Sequence, residues 1–169
     1  HRRSSAASDV YKRQPEHRKK LEELEAVCSL AHHDKKISLY SPGYPTLNEK
    51  ERAANPPNRV PLVLHHPVSG EAAIYGLNSS TCAIVPKGEI ISDSDLNVWD
   101  LEGKEDDSVK ILRDLLPFMT APDFTVKWTW QEGDIVVWDN RCTMHAATGF
   151  DDKNYSREMW RLTLLQSNS

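Results

Sequence analysis

The segment Trp130–Leu165, WQEGDIVVWDNRCTMHAATGFDDKNYSREMWRLTLL, constrains the chain more than any other. Nowhere else does strong β patterning coincide with groups able to do chemistry. Phe124, Val126, Trp128 and Trp130 alternate with Thr125, Lys127 and Thr129, the period of a half-buried strand. Gln131-Glu132-Gly133 turns, and Asp134–Trp138 reads as the next strand. In the last strand Arg157, Met159, Arg161 and Thr163 share one face, and Glu158, Trp160, Leu162 and Leu164 the other.

That final pattern sets an electrostatic problem. The apolar face can pack on a core layer. The opposite face carries two guanidiniums among hydrophobic neighbours, and an unpaired buried charge is costly. The arginines therefore need carboxylates, from the protein itself or from a ligand, and Arg is the natural bidentate clamp for a carboxylate. An intraprotein salt bridge or an exposed face satisfies the same pattern. His145 precedes Arg157 across a polar hairpin, Gly149-Phe150-Asp151-Asp152, which can bring the two together. One imidazole and one carboxylate clamp are what a metal-chelated oxoacid needs. A structural histidine is the plainer alternative. A nucleophilic Cys142–His145 pair is disfavoured, because residues three apart on a strand face opposite ways.

Upstream, Pro15–Leu30 reads as an amphipathic helix, opened by Pro15 and striped by Leu21, Leu24 and Val27. Ala31–Val60 is punctuated by Pro42, Gly43, Pro45, Pro56 and Pro57 and reads mostly as loop. It contains His32-His33-Asp34; in an extended segment His32 and Asp34 would share a face, as two arms of an iron-binding triad must. Arg59–Ser79 reads as a hairpin, PLVLHHPV turning at SGE into AAIYGL. His65 and His66 are adjacent on its first strand, so at most one faces inward. CAIVP suggests a short strand, and Asp106–Thr120 a helix with an acidic first turn and a stripe of Val109, Leu112, Leu115, Leu116 and Met119. Helices followed by strands on short turns indicate a β sandwich or barrel flanked by helices.

Composition narrows the class. At 169 residues, 38% hydrophobic and 27% charged, the chain suits one domain with a real core. Its net charge of −4 argues against nucleic acid or an anionic membrane as main partner. No apolar run approaches the ~18–20 residues of a membrane span. Three cysteines without motif spacing, Cys28, Cys82 and Cys142, suggest a reduced, cytoplasmic setting. The first residues behave differently. Ser4–Gln14, SSAASDVYKRQ, resembles a translated sequencing adapter, so residues 1–14 are set aside as artefactual and disordered. A natural chain cut at Pro15 is the corollary.

The segment GD-x(3)-WDNR-x(3)-H, Gly133 to His145, followed by Arg157, resembles the end of the TauD/TfdA-like family, the taurine and chlorophenoxyacetate dioxygenases. The proline-led helix and RVPLVLHHPVSGEAAIYG are similar to earlier parts of the same family. The resemblance implies iron(II)- and 2-oxoglutarate-dependent hydroxylation on a double-stranded β-helix, or jelly roll, incomplete here at its N-terminus. Residues 15–169 would be the C-terminal part of one dioxygenase domain. His145 would be the distal iron ligand, Arg157 would hold the far carboxylate of 2-oxoglutarate, and Arg161 would meet a small anionic substrate. Oxygen is the other implied partner. Asp139, Asn140 and Arg141 match a signature turn read as architectural. The family's His-x-Asp pair and a cosubstrate-binding threonine lie upstream of the helix that opens this chain, and His32-Asp34 follows that helix. The sequence is therefore expected to hold one iron ligand of three and to be inactive alone. The competing reading is a metal-free jelly-roll module that binds a small anion through Arg157 and Arg161.

Overall fold

The computed structural model describes residues 15–90 and 107–164. Helix α1, Pro15–Glu22, leads directly into strand β1, Leu24–Cys28. Helices α2, Leu30–Tyr40, and α3, Glu49–Ala54, follow. Strands β2 (Asn58–Pro61), β3 (Val63–His65), β4 (Ala72–Ile74) and β5 (Thr81–Pro86) come next, then helix α4, Asp107–Met119, and a 3-10 turn at Pro122–Phe124.

Strand β1 is the middle of a three-stranded antiparallel sheet, with β2 on one edge and β5 on the other. Cys28 pairs with Asn58 and Glu25 with Pro61 across the first ladder. Leu24 pairs with Pro86 and Ala26 with Ile84 across the second, with an irregularity between Val27 and Cys28. Strands β3 and β4 form a separate hairpin, Val63 opposite Ile74 and His65 opposite Ala72. Leu62 joins the two sheets: its N–H donates to the Leu24 carbonyl at 3.0 Å and its own carbonyl accepts from Tyr75 N at 2.7 Å. Gly76, at φ 77°, completes that junction, since a Cβ there would lie 2.6 Å from Val60 Cγ2.

The core lies between the hairpin, β5 and α4. Leu62, Val63, Ala73, Ile74 and Ile84 pack with Leu21 and with Leu112, Leu115 and Met119 of α4. Helices α2 and α4 both pack against β5, and every residue from Thr81 to Val85 is buried. The expected hairpin, the short strand and the helix before Thr120 are all present.

Three expectations change. The first helix stops at Glu22, and Leu24–Cys28 is a strand. The spacing of Leu21, Leu24 and Val27 suits a helix, but pairing on both edges overrides that local pattern. The proline-rich segment holds two helices between its turns. The Ser29 hydroxyl caps α2 by accepting from His32 N at 3.2 Å, and Asn48 and Glu51 form a reciprocal capping box on α3. Finally, Phe124–Trp130, Asp134–Trp138 and Arg157–Leu164 alternate as strands should, but none forms a ladder among the described residues. A strand needs a partner for its backbone N–H and C=O groups, and these segments have no neighbouring strand here.

Candidate functional site

From Thr125 to Leu164 no residue is buried. Asp134, Val136, Asp139, Arg141 and Cys142 are half-buried, so this region meets the folded body around one turn. The turn is built on Asp139. Its backbone carbonyl accepts from Thr143 N at 3.1 Å and from the Thr143 hydroxyl at 2.6 Å. Its carboxylate receives the Arg141 fork: Arg141 N and Nε reach Oδ1, each at 2.9 Å, and Nη2 reaches Oδ2 at 2.5 Å. Cys142 packs against the main core cluster.

A third donor comes from far away in sequence. His66, just past the end of β3, sits 3.0 Å from Asp139 Oδ2 through Nε2. Val68 N and Ser69 N both donate to His66 Nδ1, at 3.3 and 3.2 Å. With Nδ1 accepting, the proton belongs on Nε2, and the neutral ring donates to Asp139. These donors, the Arg141 bonds first, hold the Asp139 carboxyl well below the usual carboxylate range. His65, its neighbour, points outward and lies 3.8 Å from Glu22.

His66, Asp139 and Cys142 place one potential ligand atom each within 4.8 Å of one another, and they are the only such threesome among the described residues. Their chemistry does not suit a cation. Both His66 nitrogens are engaged, the Asp139 charge is matched by Arg141, and burial pushes the Cys142 thiol up. The cluster ties the turn to the β3–β4 hairpin.

His145 follows this turn and is exposed. Its ring packs on Trp138, with centroids 4.7 Å apart and planes tilted by 50°. Trp138 Nε1 donates to Asn140 Oδ1 at 2.8 Å, which fixes the indole. The next turn is organised by Asp151, whose carboxylate accepts from Lys153 N, Asn154 N and Asn154 Nδ2. Beyond it the Arg157 guanidinium lies 4.3 Å over the centre of the Phe150 ring. Arg161 is exposed. Among the described residues no hydrogen bond or ion pair joins His145, Arg157 and Arg161 to one another.

His32 and Asp34 form no ligand pair. They lie two apart on helix α2, which turns their side chains to different faces. Asp34 is buried and accepts from Tyr44 Oη at 3.3 Å and Leu47 N at 3.1 Å, holding the loop after α2. Cys142 stays excluded as a partner of His145, but for a different reason: it lies in a turn and packs inward. Among the described residues no triad of potential ligand groups assembles around His145.

Sequence reasoning missed the His66–Asp139 bond and the Trp138–His145 contact. The adjacency of His65 and His66 was the available signal, since one of two adjacent strand residues must face inward.

Comparison with known proteins gives concordant matches. A family profile described as taurine catabolism dioxygenase TauD, TfdA family, matches residues 8–163. An alpha-ketoglutarate-dependent 2,4-dichlorophenoxyacetate dioxygenase of a Burkholderia species is 30% identical over 119 residues, covering 70% of this chain and 34% of the relative. A solved structure from Burkholderia xenovorans, described as an alpha-ketoglutarate dependent 2,4-D dioxygenase, superposes with a TM-score of 0.58 at 26% identity, covering 80% of this chain and 45% of that one. A second, AAD-2 in complex with Mn(II) and N-oxalylglycine, superposes at 0.50 with 23% identity, over 74% and 41% of the two chains. The chain spans less than half the length of each of these proteins.

Proposed function

The chain belongs to the taurine catabolism dioxygenase TauD, TfdA family, and from that premise we propose that it forms one wall of an iron(II)- and 2-oxoglutarate-dependent dioxygenase site. The reaction is hydroxylation of a small anionic organic substrate by O2, with 2-oxoglutarate leaving as succinate and CO2. The observation that carries this reading is His145, held on the GD-x(3)-WDNR-x(3)-H turn that the body of the protein anchors, with Arg157 following it. Iron would supply the oxygen chemistry when bound; the protein supplies ligands and orientation.

Roles follow from chemistry. His145 offers an exposed imidazole to the metal. Arg157 has no carboxylate partner among the described residues, which leaves its fork for the far carboxylate of 2-oxoglutarate. The Phe150 ring beneath it holds the guanidinium without satisfying its N–H donors. Arg161 shares the strand-like pattern of Arg157 and is assigned to the anionic substrate. The solved relative named with Mn(II) and N-oxalylglycine supports the metal and cosubstrate pairing.

One ligand does not hold iron in a facial triad. The 169-residue chain alone is therefore expected to release no succinate from 2-oxoglutarate above the protein-free rate. The same chain extended upstream by a His-x-Asp pair is expected to release it. In that protein His145→Ala should abolish turnover, and Arg157→Ala should raise the 2-oxoglutarate KM by about 10- to 100-fold, the worth of a charged hydrogen-bonded clamp. Turnover unchanged by His145→Ala would overturn the assignment. The metal-free alternative keeps both arginines: it requires anion binding by this chain without iron, abolished by Arg157→Ala.

A further inference from the structure

We propose that His66 and Asp139 form a latch that positions the His145 imidazole through the Trp138 ring. The latch joins two parts of the chain that nothing local brings together. His66 closes the β3–β4 hairpin: its N–H donates to the Glu71 carbonyl and its carbonyl accepts from Gly70 N, each at 2.8 Å. That hairpin sits in the main core, with Val63, Ala73 and Ile74 all buried. Asp139 opens the turn that leads to His145. The 3.0 Å bond between the two side chains thus fastens the turn to a hairpin packed in the main core.

The fastening reaches His145 in two steps. Trp138 is the residue immediately before Asp139, so its backbone is placed when Asp139 is placed. Its indole then meets the His145 ring at 4.7 Å. On the other side, Asp139 closes the turn backbone by accepting from Thr143, two residues before His145. Residues on either side of this turn are mostly exposed, so the ring contact depends on the turn being held. His66 is side-chain 15% exposed and Asp139 33%, which makes theirs the better shielded of the two contacts. His66 acts here as a positioning residue. Its ring nitrogens are engaged by Asp139 on one side and by Val68 N and Ser69 N on the other.

This deepens the reading of His145 as a ligand, and the test separates the two. In the full chain with histidine labelled for NMR, the His145 ring protons are expected to be displaced by the Trp138 ring current. Trp138→Leu should abolish that displacement and so identify it. His66→Phe, which keeps ring bulk and loses the donor, should return the His145 signals toward unstructured values. His66→Gln, which restores an N–H near the position of Nε2, should recover most of the displacement. A merely structural His66 would move the melting temperature in both variants without this selective loss and rescue. Should His66→Phe fail to fold, Asp139→Asn removes the charge that both partners use and gives the same readout. A displacement unchanged in His66→Phe or Asp139→Asn overturns the latch and leaves the ligand role of His145 standing. Failure of His145→Ala to affect iron-dependent turnover in the extended protein overturns the ligand role and leaves the latch standing.

Discussion

Asp139 shows how one side chain can set the acid tolerance of a site. Arg141 and His66 stabilise its charged form, so its folded pKa lies below the value of about 3.9 for an unfolded aspartate. The sign follows from linkage. A depressed folded pKa gives stabilisation that is fully present above the unfolded value and is lost as pH falls through the folded one. The Asp139 carboxyl carbon shift is therefore expected to stay flat from neutral pH down through ~4, where an unperturbed aspartate titrates. Arg141→Ala removes the largest cause and should bring the titration back up toward that range. A wild-type midpoint at the ordinary value would show that the fork is not formed in solution. This residue also marks how far a sequence can be read. The turn Asp139-Asn140-Arg141 reads as architectural only through the family resemblance, and the structure shows its bonds to be local. Its tie to His66 spans 73 positions, and no periodicity encodes a bond of that length.

Element by element, legibility depended on whether local pattern and tertiary pairing agreed. Helix α4 was legible because Leu112, Leu115 and Met119 repeat at helical spacing and all three are buried. Leu115 is 5% exposed and sits where α4 meets the β3–β4 hairpin and β5. Leu115→Ala should cost about 2–5 kcal/mol, the range for a large-to-small change in a packed core. Chemical denaturation is the measurement, with a lower midpoint and an unchanged slope expected. A loss below about 1 kcal/mol would mean that α4 is not docked on the sheet. Strand β1 was illegible for the opposite reason. It is paired on both edges, and Ala26 and Val27 are buried in succession, so the alternation that announces a half-buried strand is missing. The segments after Phe124 carry that alternation plainly, yet form no ladder here. Alternation reports which side chains seek a core; it does not supply the neighbouring strand.

At the scale of the whole molecule, the described residues divide into a packed body and an apolar ribbon that the rest of them leave exposed. Ile135, Val137, Trp160, Leu162 and Leu164 are each more than 80% exposed. Scattered singly, such side chains are ordinary on a protein surface; here they recur at every second position in two segments. A ribbon of this kind also offers unpaired backbone N–H and C=O groups, the usual template for association between strand edges. The match to the solved relative covers 80% of this chain and 45% of that one. The ribbon's alternation is a strand pattern that forms no ladder among the described residues. In the chain by itself, sedimentation is expected to show association that grows with concentration, together with binding of an apolar dye. Ile135→Lys with Leu162→Lys should suppress both. Neither side chain is buried, so melting of the body should shift little, within about 0.5 kcal/mol in stability. The two readouts decide between distinct physical pictures. Suppressed association with an unmoved melt places the stickiness in the ribbon and the stability in the α4–β5–hairpin core. A melt that falls with the association would instead mean that the ribbon packs on the body in solution, and that the ladders its sequence calls for are formed within this chain.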